Sequence, residues 1–249
     1  MELLRVDTIS KTFYKGKQRL PALQQVSFSL QKGEALGILG GSGSGKSTLG
    51  KILAGFFAPD QGEILIGNRP LALARKEKSL SLQMIFQSPA SSFDPRWTLG
   101  KSVREGLVQK GLSREEAQKE VVAAFQRCRL SPLYLEKYPH QVSGGECQRA
   151  AIARALVMKP ELLICDEATS ALDVTTQKEI LELLLQLKRE EHLTLLFITH
   201  HMAVAQRLCD TLLVLHEGHV VDYGDTDTVI HHSKDDYTRR LVAAARVGV

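Results

Sequence analysis

Several short stretches of this chain are apolar at nearly every position, not at every second one. They are Ala35–Leu39 (ALGIL), Leu162–Asp166 (LLICD), Leu193–Thr199 (LTLLFIT) and Thr211–Leu215 (TLLVL). Continuous runs of that length read as strands buried on both faces, as in a parallel sheet. Leu80–Phe86 is a further strand ending at Gln87. The front of the chain is patterned differently. Residues 3–9 read as a strand, Lys11–Tyr14 lead into a polar loop at Lys15–Arg19, and Ala22–Leu30 alternates like a half-buried strand. Lys32–Gly33 marks a turn, and Ile64–Ile66 followed by Gly67–Asn68 reads as a hairpin edge. This front part therefore predicts antiparallel strands laid beside a core.

Helical periodicity takes over from Leu99 to about Lys159. Ser113 with Glu116 is a capping box that opens a helix through about Arg127, and helical character continues over Ser143–Met158. Between strand and helices lies a Pro- and Ser-rich loop, residues 88–98, in which Phe93 and Trp97 stand out as large apolar residues suited to anchoring an interface. Thr176–Arg189 is amphipathic, with Ile180, Leu183, Leu184 and Leu187 on one face. Strands alternating with helices predict an α/β fold with a mostly parallel sheet. The expected organisation is one domain over 1–249. Residues 1–90 and 160–249 form its core with the antiparallel part, and 91–159 form an inserted α-helical subdomain.

The most informative stretch is Gly40–Gly41–Ser42–Gly43–Ser44–Gly45–Lys46–Ser47, which fits G-x-x-x-x-G-K-[ST]. The buried strand Ala35–Leu39 precedes it and the helix-compatible Thr48–Leu53 follows, the order a phosphate-binding loop requires. Glycines let the backbone turn tightly, and successive N–H groups then form a nest for anionic oxygens. The helix N-terminus adds partial positive charge. Lys46 is placed to reach the β- and γ-phosphates of a nucleoside triphosphate, and the Ser47 hydroxyl to bind Mg²⁺.

Two more stretches complete the chemistry. Asp166 and Glu167 close an apolar strand. A strand-end Asp suits a second Mg²⁺ contact, and the adjoining Glu suits polarisation of an attacking water. Val142–Ser143–Gly144–Gly145–Glu146 opens a helix with Ser at its cap, a second anion-binding helix start in the same chain. One glycine loop already serves one nucleotide, so the second start fits a nucleotide held by another subunit.

Composition narrows the classes. The chain has 249 residues and a net charge of +4, and its basic residues form no dense stripe, so nucleic acid is not an expected partner. Cys128, Cys147, Cys165 and Cys209 form no C-x-x-C pair, which excludes zinc and iron–sulfur spacing and reads as four reduced thiols. The start MELLRVDTISK lacks a signal-peptide pattern, and no apolar run is long enough to cross a bilayer.

With these motifs in order, the chain resembles the ATP-binding subunits of ABC transporters. The glycine loop matches Walker A and LLICDE matches Walker B with its catalytic glutamate. VSGGE resembles the LSGGQ signature, with Val142 for Leu and Glu146 for Gln. The resemblance implies a P-loop NTPase (RecA-like) core, ATP and Mg²⁺ as ligands, and ATP hydrolysis. It implies that Gln87 is the Q-loop glutamine, contacting Mg²⁺ and the γ-phosphate. It makes Ser170–Asp173 the D-loop, with Asp173 at the nucleotide, and adds Thr48 to the phosphate-loop contacts. His200 becomes the switch histidine, while His201 stands where the family has Asp. Phe13 becomes the aromatic that stacks on adenine, with Tyr14 as the alternative, and Ser143–Glu146 act on the partner subunit's ATP.

A narrower resemblance is to ATPases of oligopeptide, dipeptide and nickel importers. FQSPASSFDPRWT resembles their FQ-x-P-x-x-S-x-[ND]-P-R stretch, and Tyr237–Leu241 (YTRRL) their YT-[KR]-x-L tail. This implies uptake of peptides, nickel or a metal-chelate complex. The expected partners are a second ABC ATPase subunit (identical or related), two transmembrane permease subunits and an extracytoplasmic substrate-binding protein. The expected place is peripheral, at the cytoplasmic face of the inner membrane. A soluble ABC ATPase acting on ribosomes or DNA is the alternative. It fits less well because only one cassette and a short helical insertion are present. An unrelated P-loop kinase or GTPase leaves the SGG helix start, Gln87 and His200 unexplained.

Overall fold

The computed structural model describes residues 1–77, 81–170 and 172–247. In chain order its elements are β1 (Glu2–Lys15), β2 (Gln18–Gln31), β3 (Ala35–Leu39), α1 (Lys46–Ala54), β4 (Gln61–Ile66), β5 (Arg69–Pro70), α2 (Leu71–Lys76) and β6 (Leu82–Ile85). Then follow α3 (Leu99–Gln109), α4 (Arg114–Arg127), α5 (Gly144–Leu156), β7 (Leu162–Asp166), α6 (Val174–Glu191), β8 (Thr194–Ile198), α7 (Met202–Leu208), β9 (Thr211–His216), β10 (His219–Asp225), α8 (Thr226–His232) and α9 (Asp236–Val247). Leu80, the expected start of the strand before Gln87, and Ala171 of the D-loop match lie outside the described residues. The chain divides into two compact units, residues 1–80 with 188–249, and residues 81–187.

The first unit carries two sheets. One is antiparallel, in the order β2-β1-β4-β5. In the other, β3 runs parallel to both β8 and β9, and β10 closes the edge antiparallel to β9. Every residue of β3 and β8 is buried, which is why both strands are apolar except at Thr194, whose hydroxyl accepts the Gly33 N–H at 2.9 Å. Each fully buried Leu, Ile or Phe there contributes about 1.5–3 kcal/mol. The polar loop expected at Lys15–Arg19 is tighter than its composition suggests. Lys15 pairs with Gln18, leaving a two-residue turn at Gly16–Lys17 with Gly16 at φ 62°. The chain beyond β9, where the sequence gives no strand signal, adds a strand. Glu217 and Gly218 both take positive φ (48° and 81°), the mirror-image turn that folds β10 back onto β9.

The second unit pairs β6 and β7 in parallel, with Ile85 opposite Cys165. Its remainder is helical. Ser113 and Glu116 form the reciprocal capping box that opens α4. Phe125 of α4 is fully buried, and the Ala-rich face of α5 (Ala150, Ala151, Ala153, Ala155) is buried as well. The 88–98 loop departs from expectation at Phe93. That ring is 5% exposed, with the Arg154 guanidinium 4.2 Å from its centroid, and Arg154 also donates to the Ser92 carbonyl and hydroxyl. Phe93 packs the loop inside this unit and is no surface anchor. Trp97 stays partly exposed under the Lys101 ammonium, 4.0 Å from its ring.

All four cysteines are buried free thiols. Burial, with the Asp166 charge beside it, pushes the Cys165 thiol up to about 12, and burial pushes Cys147 up to about 11. Neither has thiolate character at neutral pH.

Candidate nucleotide site

The phosphate loop joins β3 to α1 within the first unit. Gly40, Gly43 and Gly45 have positive φ (151°, 77° and 106°). A Cβ at Gly40 would sit 2.2 Å from the Leu215 carbonyl, and one at Gly45 would sit 2.4 Å from the Ala22 carbonyl. Only glycine fits either place. Gly45 caps α1 with no side-chain hydrogen bond, and the first turn of α1 holds no acidic residue. The positive end of the helix therefore faces no carboxylate of its own first turn. Lys46 is 6% exposed and arches back over the loop, its Nζ donating to the Gly40 and Gly41 carbonyls at 2.8 Å each. Ser47 is exposed, Thr48 half-buried, and among the described residues the buried Ser44 Oγ has no hydrogen-bond partner. Glycines that cannot be replaced, an inward lysine and a helix start clear of acids fit a polyphosphate.

His200 reaches the same strand ends by topology. β3 and β8 are parallel with Ile38 opposite Ile198, and the Thr199 N–H donates to the Ile38 carbonyl at 3.1 Å. The residues following both strands thus leave from one edge, at the carboxyl ends where α/β sheets bind ligands. His200 and His201 are both exposed, with ring centroids 4.1 Å apart. In the same unit Phe13 makes an edge contact with Phe57 at 5.4 Å, whereas Tyr14 is 67% exposed.

The second unit repeats the logic with β6 and β7. Gln87 lies two residues past Ile85, and Glu167 two past its partner Cys165. The Gln87 amide donates to Glu167 Oε2 at 2.9 Å and to the Ser170 hydroxyl at 3.3 Å. Ser170 is tied back to the Glu167 carbonyl by its N–H and its hydroxyl, both at 3.0 Å. Glu167 holds φ 47°, a left-handed conformation uncommon for a residue with a side chain. Asp166, one residue earlier, is 6% exposed. Ser170 falls in the D-loop match, but its contact with Gln87, 83 positions away, is not legible in the sequence.

Ser143 caps α5 through a complete capping box. Its hydroxyl accepts the Glu146 N–H at 3.3 Å, and Glu146 Oε2 accepts the Ser143 N–H at 2.7 Å. The Tyr134 hydroxyl donates to the other Glu146 oxygen. Tyr134 first, then the Ser143 amide, hold the Glu146 carboxyl below the usual range. The Glu in place of the signature's Gln is thus fully engaged within its own unit. Gly145 has a packing reason, since a Cβ there would meet Thr176 Cγ2 at 2.4 Å. A Cβ on Gly144 would meet Leu172 at an ordinary 3.5 Å, and Ser143 and Gly144 are exposed. Asp173 accepts the Thr176 N–H at 3.0 Å, which lowers its carboxyl. Among the described residues no cluster of three or more His, Cys, Asp or Glu forms a metal site, and no helix is long and apolar enough to cross a membrane.

Known proteins bear on this arrangement. The ABC transporter family profile matches residues 23–170. The chain is similar to the oligopeptide transport ATP-binding protein OppF of Haemophilus influenzae, 40% identical over 241 residues that cover 94% of this chain and 73% of that one. It is also similar to the putrescine export system ATP-binding protein SapF of Escherichia coli, 34% identical over 97% of this chain and 92% of that one. Among solved structures, a dimeric ATP-binding cassette in a post-hydrolysis state with ADP and Pi superposes with a TM-score of 0.81. It is 30% identical, covering 90% of this chain and 99% of that chain.

Proposed function

The chain belongs to the ABC transporter family, an ATPase on a P-loop core that uses ATP and Mg²⁺; from that premise we propose that it is the ATP-hydrolysing subunit of a peptide importer. The hydrolytic assignment rests on one observation, the Gln87 amide holding the Glu167 carboxylate at the ends of two parallel strands. Peptide as cargo rests on the 40% identity to an oligopeptide transport protein.

The residues take these roles. Lys46 and the loop from Gly40 to Thr48 hold the phosphates. Ser47, Gln87 and Asp166 would hold Mg²⁺, which would supply positive charge to offset that developing on the phosphoryl oxygens. Glu167 orients and polarises the water, and His200 contacts the γ-phosphate. Phe13 stacks on adenine. Ser143–Glu146 and Asp173 serve the ATP of a second cassette, identical or related. The remaining partners are two permease subunits and an extracytoplasmic binding protein, with this chain peripheral at the cytoplasmic face of the inner membrane. Residues 91–159 form the helical part, and residues 1–90 and 160–249 the nucleotide-binding core with its antiparallel part.

Phe13→Ala should weaken nucleotide binding by about 0.5–1.5 kcal/mol, the range for an aromatic pair. Titration with ATP measures it. If only Tyr14→Ala shows that loss, the stacking residue is Tyr14.

The cargo is tested by reconstituting the chain with its permeases in vesicles and supplying short peptides, nickel or putrescine. Peptides presented with the binding protein should raise ATP turnover and accumulate on the side of the ATPase. The likeness to a putrescine export protein makes polyamine the reading to separate. Stimulation by putrescine alone, or movement away from the ATPase, would overturn the peptide-import assignment.

A further inference from the structure

The C-terminal part of the first unit touches the phosphate loop three times. The Leu215 carbonyl closes on Gly40, leaving no room for a Cβ, and the Gly218 N–H donates to the Ser44 carbonyl at 3.1 Å. The third contact comes from α9. The Gly41 N–H donates to the Tyr237 hydroxyl at 2.7 Å, across 196 positions of sequence. Nothing in the hydrolytic roles above uses Tyr237.

We propose that Tyr237 is a positioning residue for the phosphate loop: its hydroxyl fixes Gly41, and Gly41 in turn holds Lys46. The same residue donates its N–H to Tyr237 and offers its carbonyl to Lys46 Nζ at 2.8 Å. Tyr237 is itself held on two sides. Its ring stacks on His216 at the end of β9, with centroids 3.8 Å apart and planes 21° from parallel. The start of α9 is pinned where Asp235 Oδ1 accepts the Thr238 N–H at 2.7 Å and the Asp235 N–H donates to Ser233 Oγ at 3.2 Å. Ser233 donates in turn to the Asp222 carboxylate on β10. A rigid hydroxyl thus meets the loop where a Cβ on Gly41 would lie 3.0 Å from it. Seating α9 sets the lysine's backbone support, and with it the loop's affinity for phosphate. The Gly40 carbonyl, the other acceptor of Lys46 Nζ, lies in the same planar peptide unit as the Gly41 N–H, so the hydroxyl steadies both supports; the lysine itself is untouched, and the effect falls on binding more than on the chemical step.

This inference rests on the reading that the loop from Gly40 to Ser47 binds ATP. The test is Tyr237→Phe, which keeps the ring and its stacking on His216 and deletes the acceptor. Steady-state ATP hydrolysis by the full chain, calorimetric titration with ADP and thermal melting are compared with the unsubstituted protein. KM for ATP and Kd for ADP should each rise about three- to tenfold, the effect of one hydrogen bond, while kcat stays within about twofold. Tyr237→Leu, which also removes the stacking, should raise KM further. A lowered melting temperature with KM and Kd unchanged well below it would show a purely structural tyrosine and overturn the proposal. Absence of ATP binding by the unsubstituted chain would overturn the reading of the loop, and the role of Tyr237 with it.

Discussion

Replacing Glu167 by glutamine should preserve ATP binding and lower turnover by about 100-fold or more, the scale of a lost general base. The substitution is close to isosteric, and the new side chain keeps a carbonyl oxygen to accept the Gln87 amide that now bonds Glu167 Oε2 at 2.9 Å. The left-handed backbone at φ 47° and the Ser170 bonds to the Glu167 carbonyl do not depend on the side chain. Geometry therefore survives while the ability to accept a proton from water is lost. Steady-state hydrolysis and size-exclusion chromatography with ATP supply the two readouts. ATP-bound dimer should accumulate, because its breakdown needs hydrolysis. Near-normal turnover would remove Glu167 from the catalytic role and leave it as a strand-end residue held by Gln87.

That prediction was within reach of the sequence because its parts lie on elements that announce themselves. Ala35–Leu39 and Leu162–Asp166 are strands over the very residues read as apolar runs, since a strand buried on both faces leaves few polar positions, here only the terminal Asp166. The glycine loop was legible for a similar reason, as Gly40 and Gly45 sit where no other residue fits. What stayed hidden was decided by contacts far apart in sequence. β10 has a mixed polar pattern and a turn that begins with Glu217, not Asn or Gly. Phe93 resembled a surface anchor because its neighbours are polar, yet Arg154, about sixty positions on, covers its ring. Tyr237 belonged to a recognisable tail, but nothing local indicates that its hydroxyl reaches Gly41. Glu146 looked like a departure from the signature, and only the fold shows it closing a capping box and meeting Tyr134.

The same capping box frames the second large effect. Ser143→Arg should leave ATP binding at the chain's own Lys46 site intact and abolish hydrolysis at the site its signature completes. Ser143 is exposed, so an arginine can be accommodated in the single chain, at a cost of about 1 kcal/mol for the lost cap. In a dimer of cassettes the same bulk would stand where the partner's γ-phosphate must dock. ATP closes such a dimer only as far as it binds the closed state better, so blocking that approach removes the driving free energy as well as the chemistry. Equilibrium titration should then show ATP affinity near that of the unsubstituted chain, with no ATP-dependent dimer in sedimentation. Mixing with a Lys46→Ala chain sharpens the test if identical chains pair. In the mixed dimer both lesions fall in one composite site and the other site is intact. Recovered hydrolysis in the mixture, with neither variant active alone, is the expected result. A Ser143→Arg chain that binds ATP, dimerises and turns over normally would confine Ser143 to capping α5.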